Sequence, residues 1–209
     1  PSVGSPPVAT TTKIYLEEGQ RWVFAVALDW PGWARRARSA DEAVAALDDY
    51  ADRYAEVVSC AFSPGRFRVV GTLAGTATTD FGAPDARGPW DETPFSAAEA
   101  ATQVGLLTDC WNYFDRVVAS APAVLRKGPR GGGRDRDKVA DHVREAERAY
   151  SSGIGVRVPP RTPWAEQRAT VAAGLRAGSH SPKWPTRYAL RRIAWHVTDH
   201  AWEIQDRSE

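Results

Sequence analysis

The chain has 209 residues, 43% of them apolar, with 27 basic against 26 acidic side chains and a net charge of +1. That length supports one elaborated domain, or one domain and a smaller unit, with a sizeable core. The balanced charge gives no bulk drive toward nucleic acid. Mean hydropathy is −0.44, and no apolar run nears the roughly 18 residues a membrane span needs. Nine Trp, six Tyr and six Phe exclude a wholly disordered chain. Cys60 and Cys110 are too few for a disulfide scaffold and fit a reducing, cytoplasmic compartment.

Residues 1–11 are rich in Pro, Ser, Thr and Val and read as a flexible leader without a secretory pattern. From Lys13, KIYLEE, a turn at Gly19 and RWVFAVALDW read as two strands. The alternation Trp22, Phe24, Val26, Leu28 predicts a strand with one buried face. Pro31-Gly32 ends it. Ser39 or Asp41 caps a helix with Val44, Leu47, Tyr50, Tyr54 and Val58 at helical spacing. RFRVVGTL follows as a third strand, so residues 12–75 read as a β-β-α-β module. Residues 74–95 carry Gly, Pro, Thr and Asp and read as a linker.

From residue 96 the texture is helical. Ser96 with Glu99 forms a capping box, and Val104, Leu107, Trp111, Phe114 and Val118 share a face. The basic, glycine-rich RKGPRGGGRDRDK precedes a second helix over about 135–152. A third runs over about Trp164 to Ala177, after a Gly/Pro-rich crossover, and a fourth from near Pro185 to about Asp206. The predicted fold class is therefore α+β, with a small module over 12–75 and a four-helix bundle over 96–209.

Three of the four histidines fall on helical stripes expected to face inward. His196 and His200, four apart, share a face with Ala189, Ile193 and Ile204. His142 shares one with Val139, Ala146 and Ala149. His180, in Gly-Ser-His-Ser-Pro, reads as a loop residue. A divalent cation would consume three imidazole lone pairs at once and leave open positions for water or substrate. The predicted metal ligands are thus His142, His196 and His200. Imidazole alone does not choose among zinc, nickel, iron and manganese. Glu145 and Glu203, each one turn from a ligand, are the candidates for a catalytic or supporting carboxylate. Arg130, Arg134 and Arg136, in the basic loop 126–138, are the candidates for binding an anionic substrate. Cys60 and Cys110 have no Cys-x-x-Cys partner and read as packing residues. Trp184, Tyr188, Trp195 and Trp202 read as packing against the N-terminal module.

DHVREAE in the second helix and RRIAWHVTDHAWEI in the last resemble the DinB/YfiT-like superfamily. That resemblance covers about residues 96–209 and implies an up-down-down-up bundle with a three-histidine site on His142, His196 and His200. A mycothiol-dependent maleylpyruvate isomerase type has Glu where this chain has His196, so the chain is similar to the three-histidine subgroup. The resemblance implies a metal-dependent transferase using a low-molecular-weight thiol of the mycothiol type as cosubstrate. A metal-dependent hydrolase or isomerase, a non-haem iron enzyme, and a non-catalytic metal-stabilised interaction protein stay open as alternatives. ALDWPGWARRARSADEAVAALDDYADRY is similar to the HicB-like pattern, without an added DNA-binding element. That module is expected to pack on the bundle or to mediate a homodimer. The expected partner is a small-molecule substrate, with neither nucleic acid nor membrane.

Overall fold

The computed structural model describes residues 10–128, 132–178 and 183–208. Residues 1–9 of the predicted leader, His180 and Arg130 lie outside the described residues, and the last residue read as leader, Thr11, instead begins the first strand. The fold is α+β, a mixed four-stranded sheet with its helix followed by a helical region.

Strands β1 (Thr11–Glu18), β2 (Val23–Ala27), β3 (Ala34–Ala37) and β4 (Arg66–Ala74) form one sheet in the order β3-β2-β1-β4. β1 runs antiparallel to β2 and parallel to β4, and a register shift lies between Ile14 and Tyr15, where Val70 of β4 is the extra residue. Such a bulge bends and twists the strand locally. Helix α1 (Ala40–Asp49) is capped by Ser39, whose hydroxyl accepts from Glu42 N–H at 3.3 Å. The expected single helix breaks at Tyr50, and a short α2 (Ala51–Ala55) follows.

β2 is buried on both faces rather than one. Ile14, Leu16, Ala25 and Ala27 join the core that contains Ala43 and Leu47 of α1, while Tyr15, Phe24 and Val26 pack with Trp195 and Trp90. β2 is thus covered on both faces, which removes the polar face that alternation assumes. β3, with sequence ARRA, has no apolar pattern and was absent from the predicted elements.

The segment expected to be a linker is a packed strap. It holds helix α3 (Ala77–Phe81), capped by Thr76, and a 3-10 turn over Pro89–Asp91. Fully buried Glu17 of β1 accepts from Thr79 Oγ1 at 2.5 Å, Asp85 N–H at 2.9 Å and Ala86 N–H at 3.1 Å. Asp91 pairs with Arg191 through two bonds of 2.6 and 2.9 Å, with both side chains buried. Long-range partners of this kind leave no periodic trace in a sequence.

The four long helices are α4 (Ala97–Ser120), α5 (Arg136–Ser151), α6 (Trp164–Ala177) and α7 (Thr186–Asp206). α4 begins with the expected capping box. Ser96 N–H donates to Glu99 Oε2 at 2.9 Å, and Glu99 N–H to Ser96 Oγ at 3.2 Å. α7 packs against α4 and α5, and α6 against the same two helices. The sheet and its helix lie on a further side of α7, through Phe24–Trp195 and Tyr50–Trp202 ring contacts at 6.3 and 5.1 Å. Trp184 instead packs with Tyr150 and Tyr188.

The Pro31-Gly32 turn seats the sheet on the helices. Gly32 has φ +95°, and a Cβ there would lie 2.7 Å from Thr198 Oγ1 and 3.1 Å from Cys110 Sγ. Only glycine meets both the positive φ and the close approach. Pro31 C=O accepts from Tyr54 Oη at 2.8 Å. Cys110 is buried as expected, and burial pushes its thiol up to about 12. Cys60 is exposed, contrary to the packing role read for it.

Two outcomes follow for stability. Asp91→Ala leaves the Arg191 guanidinium buried without its partner. It should cost about 3–5 kcal/mol in denaturant unfolding. The Glu99 carboxyl is held down to about 2, first by the Ser96 N–H and then by Arg187. A depressed folded pKa gives stability that is present above the ordinary value of 4.5 and lost as pH falls toward about 2. The stability difference between wild type and Glu99→Gln, followed by unfolding at a series of pH values, should therefore shrink across that window.

Candidate metal centre

α7 supplies two of the three imidazoles. Its residues Ala189, Ile193, Val197, Ala201 and Ile204 are all fully buried. That packing fixes its rotation and carries His196 inward, 7% exposed, with His200 half-buried one turn later. α5 supplies the third. Its buried face is Val139, Val143 and Glu147, not the Val139, Ala146, Ala149 stripe expected from phase. Ala149 is exposed and His142 sits at the flank of the buried face, half-buried. A buried carboxylate explains the difference. Glu147 accepts from Trp164 Nε1 at 2.8 Å and faces Arg168, so a charged residue occupies an α5 position that faces the core.

The three side chains nonetheless meet. His142, His196 and His200 each offer a ring nitrogen, and these atoms all lie within 4.8 Å of one another. Ring centroids are 4.5–5.1 Å apart, all edge-on. Nε2 of His196 lies 3.3 Å from Nε2 of His142. Two nitrogens bound at 2.0–2.1 Å to one tetrahedral ion would be separated by about 3.3 Å. A single shared proton would satisfy those two rings only. A cation would satisfy all three.

His200 is prepared for that role by its other nitrogen. Its Nδ1 lies 2.7 Å from Glu203 Oε2, which fixes the tautomer and leaves the Nε2 lone pair free. Glu203 is in turn bound through Oε1 to Arg207 Nη1 at 2.7 Å. The His200 hydrogen bond, and after it Arg207, holds the Glu203 carboxyl below the usual range. Arg207 Nε donates to Arg126 C=O at 2.8 Å, tying this chain of contacts to the start of the basic loop.

Burial is the main cause that pushes His196 well below its ordinary pKa, with His200, His142, Arg192 and Arg134 adding to it. His142 is lowered by burial first, then by His200 and Arg134. Both rings are thereby kept neutral, the form that binds metal. Nδ1 of His196 is buried with no hydrogen-bond partner among the described residues.

Of the other expected site residues, Glu203 reaches the cluster and Glu145 does not. Glu145 is exposed and ion-paired with Arg148 on the same helix. Arg136 is engaged elsewhere, donating to Asp137 Oδ1 and Ala121 C=O. Arg134 is exposed, has no hydrogen bond or ion pair among the described residues, and projects its charge onto His142 and His196. Arg207, Arg192 and Tyr150 went unread in the sequence. Tyr150 lies edge-on to His196 at 5.5 Å, and the Arg192 guanidinium sits 5.4 Å from the Tyr150 ring. The one available signal was the i, i+4 spacing of Glu203 and Arg207.

The donor set fits a divalent cation. Purified protein titrated with zinc and followed by elemental analysis should bind about one ion per chain. His142→Ala, His196→Ala and His200→Ala should each abolish stoichiometric binding, and Glu203→Gln should weaken it about 10–100-fold. Set against known proteins, the chain matches no family model, no curated protein and no solved structure. The structure alone therefore defines a three-histidine group able to hold a metal ion.

Proposed function

We propose that the chain is a metal-dependent small-molecule enzyme that transfers a low-molecular-weight thiol, of the mycothiol type, onto an electrophilic substrate. The observation that carries this reading is the grouping of three imidazoles, two of them half-buried, so that the site reaches solvent. A structural staple would favour a closed shell, whereas a catalytic centre keeps a position open. The resemblance of residues 96–209 to the DinB/YfiT-like bundles supports the same choice.

A divalent cation on three neutral histidines keeps its full charge and lowers the pKa of a bound thiol or water. The chain's own residues do the rest. Glu203 and Arg207 hold His200 in one tautomer and orientation. Arg134, without a counter-ion among the described residues, attracts an anionic group of thiol or substrate toward the cluster. Tyr150 and Trp195 flank His196 and limit which shapes approach it. In the transfer, the thiol gives its proton to solvent and its sulfur bonds to the electrophilic carbon. The leaving group departs with the electron pair of its broken bond.

The test is conjugation of mycothiol to monochlorobimane, which releases chloride, by zinc-loaded protein with and without EDTA. The proposal expects acceleration over the uncatalysed rate that EDTA and His196→Ala both abolish. Equal rates with and without chelator contradict metal-dependent transfer. A metal-loaded protein inert toward mycothiol, bacillithiol and glutathione contradicts the thiol assignment.

A further inference from the structure

A second site stands apart from the three histidines. Arg191 and His196, five residues apart on α7, project about 140° from one another. On the Arg191 side, a cavity of about 430 Å³ lies between the sheet, the strap and the first turns of α4 and α7. That volume falls within the range of small-molecule pockets.

Its polar wall holds two cations without counter-ions. Lys13 of β1 and Arg68 of β4 are register partners in a parallel pair, so their side chains leave the same face of the sheet on adjacent strands. Both are exposed, and neither side chain makes a hydrogen bond or ion pair among the described residues. Like charges side by side on neighbouring strands repel. The other two cations of the cavity are already satisfied, Arg187 by Glu99 and Arg191 by Asp91. Asp29 also lines the cavity but forms no ion pair with either free cation.

Thr93, Gln103 and Glu99 also line the cavity, and its apolar and aromatic part is formed by Leu28, Val70, Trp90, Phe95 and Leu190. Val70 is the bulge residue of β4 and is 37% exposed. The bulge thus spends an apolar side chain on the cavity. Trp90 stands over the sheet, 5.1 Å from the Tyr15 ring, and its indole N–H is buried with no partner among the described residues.

From this juxtaposition we infer that the cavity binds a small aromatic carboxylate, its ring against Trp90 and Phe95 and its anionic end between Lys13 and Arg68. A carboxylate there relieves the repulsion of the two cations through charge-assisted hydrogen bonds. The inference does not depend on the function proposed for the histidines.

The experiment is calorimetric titration of the full chain with 2-naphthoate, with its uncharged counterpart 2-naphthalenemethanol and with acetate. Naphthoate should bind saturably, and the alcohol and acetate each at least about tenfold more weakly. The Lys13→Ala/Arg68→Ala variant, changed only at exposed positions, should keep its melting temperature and lose at least about tenfold in naphthoate affinity. Val70→Trp, at an exposed position on the cavity wall, should fill the cavity and abolish binding. No saturation up to about 1 mM naphthoate would overturn the inference. So would equal affinity for acid and alcohol, or equal affinity in wild type and the double variant.

Discussion

The burial of α7 on three sides is the constraint from which both sites follow. The sheet covers one side, and α4 and α5 cover the others. A helix held on so many sides has no freedom to rotate, so each residue's direction is settled by packing at distant turns. Ala189, Ile193 and Ile204 set the phase, and His196 is carried to the α5 side. Opposite it, Arg191 must be buried, and Asp91 from the strap neutralises it. The strap is therefore ordered by a charge that α7 imposes, and Glu17 secures its other end.

At the cluster, the chain supplies support chosen for imidazole rather than for a charged ligand set. Among the described residues the only carboxylate bound to a cluster ring is Glu203, held behind His200 and fixed by Arg207. Arg134 and Arg192 add positive charge near a group that could hold a cation. That arrangement costs affinity for a bare ion and favours one that carries an anionic ligand. The field around the histidines is thus positive, and Arg134 is its exposed contributor.

Much of the helical half was legible because helices announce themselves locally. The Ser96–Glu99 box, the start at Trp164 after a proline and the apolar stripe of α7 all appear where the sequence puts them. The His196/His200 spacing and Glu203 one turn later were readable for the same reason. What stayed hidden depends on distant partners. ARRA becomes a strand only because β2 offers an edge. The phase of α5 was misread because Glu147 takes a buried position next to Arg168 and Trp164, which polarity argues against. Arg207 reveals its role only once the loop at Arg126 folds back onto it. The N-terminal module was expected to pack on the bundle or to mediate a homodimer, and its Pro31-Gly32 turn lies against Thr198 and Cys110.

The claim on which the rest turns is that three imidazoles surround one ion. X-ray absorption at the zinc edge of the zinc-loaded protein reads this directly. The account predicts three nitrogen scatterers of imidazole type at about 2.0–2.1 Å with one further light-atom ligand, and the loss of one imidazole in His142→Ala. A zinc environment dominated by carboxylate oxygens or sulfur, or one unchanged in that variant, would contradict it.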